Sequence, residues 1–173
     1  MSTATQLMTF AEFEQLPYPE AGKMELVNGE VIIVPPPVNN HTVVAKRILL
    51  FLFERIGASR VWQDHAGYRV GPGWLEPDVS ISWPEQQQDG KYFIGSPMVA
   101  IEILSPGENW SAKLDMYTRD GVKQVSIVDY EKQTFLVFAV EQEKIVFHMV
   151  TESWNSAAGV TITLADIFGG KQP

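Results

Sequence analysis

Apolar and polar positions alternate along the chain in two periods, and the change from one to the other marks out its elements. MELVNGEVIIV, residues 24–34, places two apolar runs around Asn28-Gly29, the pair favoured in a type I′ turn, and predicts a β-hairpin. PDVSISW, residues 77–83, alternates strictly and reads as a strand, with Val79, Ile81 and Trp83 on one face and Asp78, Ser80 and Ser82 on the other. Residues 98–104 form an apolar strand, and 124–129, 134–140 and 144–150 a closing meander. Short strands are expected near 60–63 and 67–70, a turn at Gly71-Pro72-Gly73, a loop over 85–95, and a strand with a short helical turn in 160–168.

Helical spacing appears in three places. Thr9 and Glu12 fit a capping box and open a short helix to about Leu16. Val44, Ile48, Phe51 and Leu52 form the stripe of a helix from His41 to about Ile56, capped by Asn39 or Asn40 and stopped at Gly57. Trp110, Leu114 and Tyr117 mark a third, ending near Asp120. This order predicts one α/β (α+β) domain over residues 1–173, built on a mixed central sheet flanked by helices.

Against that pattern, four charged residues fall on candidate core-facing positions. Glu102 lies inside VAIEIL, where a lone ionised carboxylate costs several kcal/mol unless it is compensated. If its strand neighbours PDVSISW, Asp78 and Glu102 share one side of the sheet. Two such carboxylates call for a cation, and a hard divalent ion such as Mg²⁺ suits oxygen ligands. Lys113 falls within the apolar stripe of its helix, where each of Lys113 and Glu102 supplies the partner that the other needs. Glu25 shares a strand face with Val27, and the Asn28-Gly29 turn sets it opposite Ile32. Turn chemistry for Asp78, a structural ion pair for Glu102 and Lys113, and half-exposure for Glu25 are the plainer readings. His41 lies on the apolar side of its helix, where a structural role is the simplest account; His65 and His148 belong to no constellation.

Composition narrows the class. The absence of cysteine excludes disulfides, thiolate catalysis and cysteine-ligated metal. No apolar run approaches the roughly 20 residues of a membrane span, and MSTATQLMTF lacks a signal-peptide pattern, so no membrane association and a cytoplasmic location are expected. The net charge of −8 opposes nucleic-acid binding unless a local basic patch exists, for which Lys46, Arg47, Arg55 and Arg69 are candidates.

MELVNGE, EPDVSI, VAIEILSP and KLDMYTRDGVKQVSIVDY, in this order and spacing, resemble the Uma-type restriction-endonuclease family, over about residues 9–140. The resemblance implies the PD-(D/E)XK nuclease fold and hydrolysis of DNA phosphodiester bonds. Asp78 matches the family's metal-binding Asp, Glu102 the acidic residue of its (D/E)XK strand, and Glu25 the acidic residue of its first strand. Leu104 stands where the standard motif has Lys. Lys113 matches the lysine that some branches carry on the following helix, although the connection at 107–112 is shorter than is usual in relatives. His41 matches a frequent His of unassigned role.

The implied site holds Mg²⁺ or Mn²⁺ on Asp78, Glu102 and the carbonyl of Ile103. Lys113 orients water or stabilises developing charge, and Glu25 completes the ion's shell through water. By analogy, cleavage of both strands suggests a homodimer. The alternative is a degenerate nuclease fold used for protein binding or self-association, with Glu102 and Lys113 as a buried structural pair and Trp62, Trp74, Trp83 and Trp154 as interface candidates.

Overall fold

The structure is a computed structural model that describes residues 7–64, 66–105 and 110–170. His65 and residues 107–109 of the short connection lie outside the described residues. In chain order the elements are α1 (Phe10–Phe13), β1 (Lys23–Val27), β2 (Glu30–Val34), α2 (Asn39–Ile56), β3 (Val61–Gln63), β4 (Tyr68–Val70), β5 (Gly73–Leu75) and β6 (Val79–Ile81). There follow β7 (Phe93–Ile94), β8 (Val99–Ile103), α3 (Trp110–Arg119), β9 (Gln124–Asp129), β10 (Thr134–Glu141), β11 (Lys144–Val150), β12 (Ser153–Asn155), β13 (Thr161–Thr163) and α4 (Leu164–Phe168).

The expected mixed sheet is present with six strands in the order β11-β10-β9-β8-β6-β3, in which β8 and β9 are parallel and every other pair antiparallel. A second sheet, β2-β1-β5-β4-β7, takes the N-terminal hairpin away from it. Here the structure differs from the single sheet read from the sequence. β5 begins on the last residue of the turn expected at 71–73 and continues into residues with no expected element, and β7 falls within the loop expected over 85–95. Two- and three-residue strands carry no periodicity of their own, and the pairing of β5 with β1 and of β7 with β4 makes them strands.

Alternation decides which layer each strand face meets. Val79, Ile81, Val99, Ile101 and Ile103 bury against Val44, Ala45, Ile48 and Leu52 of α2. On the reverse face Ala100, Val125 and Ile127 meet the second sheet, through Tyr68 and Leu75, and α3, through Met116 and Tyr117. α2 starts earlier than expected: Val38 is its N-cap residue without a side-chain cap, and both Asn39 and Asn40 lie inside the first turn. α1 does have its capping box but ends at Phe13, before Leu16.

Candidate active site

Alternation in β1 turns Lys23, Glu25 and Val27 to one face, while Met24 and Leu26 pack on Phe10 and Phe13. Both charged side chains of that face hold the segment 76–78, which leads into β6. The backbone N–H of Glu76 donates to Glu25 Oε1 at 3.0 Å. Lys23 Nζ donates to the carbonyl of Glu76 and to Asp78 Oδ1, the latter at 3.0 Å. Asp78 Oδ2 accepts the N–H of Ile103 at 2.8 Å and meets His41 Nε2 at 3.1 Å. Val79 pairs with Ile101, so one step back along β6 and one forward along β8 sets Asp78 opposite Glu102.

The other half of the cluster is sealed. Glu102 Oε2 lies 3.3 Å from Lys113 Nζ, and its Oε1 accepts the hydroxyl of Tyr117 at 3.0 Å. Lys113 Nζ also stands 2.8 Å from Glu25 Oε2, an ion-pair contact outside hydrogen-bond geometry. Glu25, Glu102 and Lys113 are 0%, 1% and 2% exposed. All four charged residues singled out in the sequence therefore join one buried cluster, and Lys113 reaches Glu102 despite the short connection. On α3 the buried residues are Lys113, Met116 and Tyr117, while Trp110 and Leu114, expected to face the sheet, are only partly covered.

Environment separates the two facing carboxylates. Burial opposes charge on Asp78, but Lys23, then His41 and the Ile103 N–H, outweigh it and hold the carboxyl well below its ordinary range. Burial dominates at Glu102, and despite Lys113 its pKa is pushed up to about 8, with Asp78 and Glu25 adding repulsion. Burial also disfavours charge on Lys23, yet Asp78, Glu25 and Glu102 together raise its pKa and keep it cationic. His41 is raised as well: burial opposes its charge, and its hydrogen bond to Asp78 prevails.

A cleft of about 210 Å³ opens beside Asp78, lined by Lys23, His41, Asp64 and Ser105 and walled by Gly22 and residues 34–37. Glu102 and Lys113 do not line it. The expected basic patch is not at this cleft. Lys46, Arg47, Arg55 and Arg69 are absent from its walls; Arg47 is bound to the carbonyl of Phe168, Arg55 covers Phe51 and Arg69 covers Phe10. The sequence reading passed over Lys23. Carrying the Glu25–Val27 face one step back would have reached it.

The donors suit a hard cation. Glu25, Glu76, Asp78 and Glu102 are buried against Lys23 and Lys113, four carboxyl groups facing two ammonium groups. Among the described residues no three His, Asp or Glu side chains form a ligand set. One or two carboxylates completed by backbone oxygen and water is nevertheless the ordinary provision for Mg²⁺. The N–H and C=O of a strand residue leave from one edge, so the carbonyl of Ile103 faces the Asp78 side.

A family profile described as "Uma2: Putative restriction endonuclease" matches residues 10–166. The chain belongs to this family. The crystal structure of "a putative nuclease belonging to DUF820 from Anabaena variabilis ATCC 29413" superposes with a TM-score of 0.77 at 19% identity, covering 93% of this chain and 97% of that one. No curated protein matches. This Uma2-family chain thus has the fold of that nuclease over nearly its whole length, and Asp78 and Glu102 lie at the adjoining ends of the β6–β8 pair.

Proposed function

We propose that this Uma2-family protein is a metal-dependent endonuclease that hydrolyses DNA phosphodiester bonds, with Asp78, Glu102 and the carbonyl of Ile103 holding Mg²⁺ or Mn²⁺. The observation that carries this reading is the opposition of Asp78 and Glu102 across β6 and β8, with Asp78 open to a cleft. When bound, the cation supplies Lewis-acid polarisation of the phosphate and a lowered water pKa. Asp78 stays ionised through Lys23, His41 and the Ile103 N–H, so it is ready to bind a cation. Glu102 needs the extra positive charge to lose its proton, which couples its ionisation to loading of the site. Lys113 sets the orientation of Glu102 and Glu25, and Glu25 anchors the segment that carries Asp78. Cleavage of both strands by one site per chain would use a homodimer, working in the cytoplasm. Among the described residues no helix is long and apolar enough to cross a membrane.

Plasmid nicking across a Mg²⁺ and Mn²⁺ titration, with wild type and Lys113→Ala side by side, tests the reading. Metal-dependent nicking by wild type, weakened in the variant, is expected. Absence of nicking, together with absence of metal-binding heat, would overturn it.

A second reading has two observations in its favour, the first that Glu102 and Lys113 form a sealed pair, as in a fold kept for self-association. The edge strand β11 exposes Ile145, Phe147 and Met149 along one face, and antiparallel pairing of its free edge with a second copy would set two such rows side by side on a continuous sheet. The tryptophans do not support it. Trp74 packs on Phe10, Phe13 and Tyr92, Trp62 on Phe93, and Trp83 and Trp154 donate to Ser96 and Gln124. A dimer in sedimentation that binds no metal would favour this second reading.

A further inference from the structure

We infer that Lys23, on the first strand, is the lysine that contacts a backbone phosphate of DNA in the cleft, and that Lys113 is not. This rests on the nuclease reading above and names the residue that receives the substrate's anion.

An ammonium group has three N–H donors. Two of those on Lys23 go to the Glu76 carbonyl and Asp78 Oδ1, and the third has no protein acceptor among the described residues. Lys23 lines the cleft; Lys113 does not, and its side chain is 3% exposed with a glutamate on either side. A phosphate entering the cleft therefore meets the ammonium of Lys23, held beside Asp78. That proximity sets the group that orients the phosphate next to the proposed cation ligand, so positioning and charge stabilisation act at one place.

The start of α2 adds positive potential of the same sign. Val38 gives α2 no side-chain cap, and among the described residues the N–H groups of Asn39, Asn40 and His41 have no acceptor. The cleft is lined on both sides of this turn, by Pro37 and by His41. A helix N-terminus of this kind favours anions. Asp64 and Asp78 also line the cleft, so the Lys23 ammonium and these N–H groups act as local donors to one phosphate rather than as a net positive field.

The competing account makes Lys23 only the counter-charge of Asp78. Counting phosphate contacts separates the two. A fluorescein-labelled DNA duplex is titrated with protein in Ca²⁺, gels confirming that it stays uncut, at a series of salt concentrations. The proteins are wild type, Lys23→Met, Lys23→Arg and, as a control at the opposite end of the sheet, Lys123→Met. We expect Lys23→Met to bind about tenfold more weakly, with a log–log salt slope shallower by about 0.9, one phosphate contact. Lys23→Arg should keep the wild-type slope, and so should Lys123→Met. A wild-type slope in Lys23→Met overturns the inference while leaving the nuclease reading intact. Wild-type protein that binds no DNA at any salt overturns both. Should Lys23→Met fail to fold, Asp78→Asn is compared with Asp78→Asn/Lys23→Gln, which removes both members of the buried pair. The same loss of slope is expected between those two, and equal slopes overturn the inference.

Discussion

Asp78 accepts the backbone N–H of Ile103 at 2.8 Å, so a side chain from the segment before β6 takes a main-chain donor of β8. The carboxylate thereby fixes where the two strand ends meet, and it fixes Glu102, the neighbour of Ile103, at the same time. Lys23 and His41 complete its partners. The carboxylate has structural partners on both oxygens and yet borders the cleft, so the fold and the proposed chemistry place demands on one group.

Asp78→Asn separates those demands. The amide keeps an oxygen for the Ile103 N–H but loses the charge. We expect the heat of Mg²⁺ or Mn²⁺ binding to vanish in titration calorimetry and cleavage to fall by about 100-fold or more, since even the groups that support metal ligands are worth roughly 10–100-fold. Wild-type binding heat in the variant would remove Asp78 from the metal site.

Lys113→Met tests the sealed half. It leaves Glu25 and Glu102 buried without their shared cation, and breaking a buried pair in this way costs about 3–5 kcal/mol. Urea denaturation at about pH 9, where Glu102 is ionised, should show a loss of that order. Adding Glu102→Gln should recover part of it by removing one of the stranded charges. A loss below about 1 kcal/mol in the single variant would mean that Lys113 contributes little to this cluster.

The local periods made much of this site legible. Alternation in 77–83 and 98–104 put Asp78 and Glu102 on one side, as the Val79–Ile101 register requires. The hairpin signal set Glu25 opposite Ile32, where it is. Helical spacing turned Lys113 inward. What was not legible depends on distant segments. The alternation of β1 puts Lys23 on the face of Glu25, but its contacts with Glu76 and Asp78 come from the distant segment 76–78. The division into two sheets likewise follows from the pairing of β1 with β5, which no local period encodes.

Stability of the metal-free protein should fall as pH rises toward the alkaline range. Glu102 ionises near its ordinary 4.5 in the unfolded chain and near about 8 in the fold. Between those values the folded state holds a proton that the unfolded state has lost, so raising pH favours unfolding. The cost is fully present above about 8 and absent below about 4.5. Asp78 acts in the opposite sense. Its folded pKa is depressed, so its stabilisation is complete above its ordinary 3.8 and is lost only in acid. Thermal melts from about pH 5 to about pH 9 should slope downward in wild type and be flatter in Glu102→Gln. Added Mg²⁺ should raise the melting temperature most at the alkaline end, where Glu102 is ionised. Parallel profiles for the two proteins would show that Glu102 does not titrate in this window.

The wall of the cleft gives a last test, because it depends on backbone geometry rather than charge. Gly22, which precedes Lys23, has φ +83°, and a Cβ there would lie 2.1 Å from the carbonyl oxygen of Val34. Gly57, after α2, has φ +92° and nothing within 4 Å of the same atom. Alanine at Gly57 carries only the backbone penalty of its glycine-type conformation, φ 92° and ψ 153°, about 1–3 kcal/mol. Alanine at Gly22 carries a positive-φ penalty of its own and must also push apart the β1–β2 pair at Lys23 and Val34. Gly22→Ala should therefore lower the melting temperature more than Gly57→Ala. At matched folded fractions only Gly22→Ala should weaken DNA binding, because only it moves the strand end that carries Lys23. Equal effects of the two substitutions on binding would mean that the position of the β1 end does not govern the cleft.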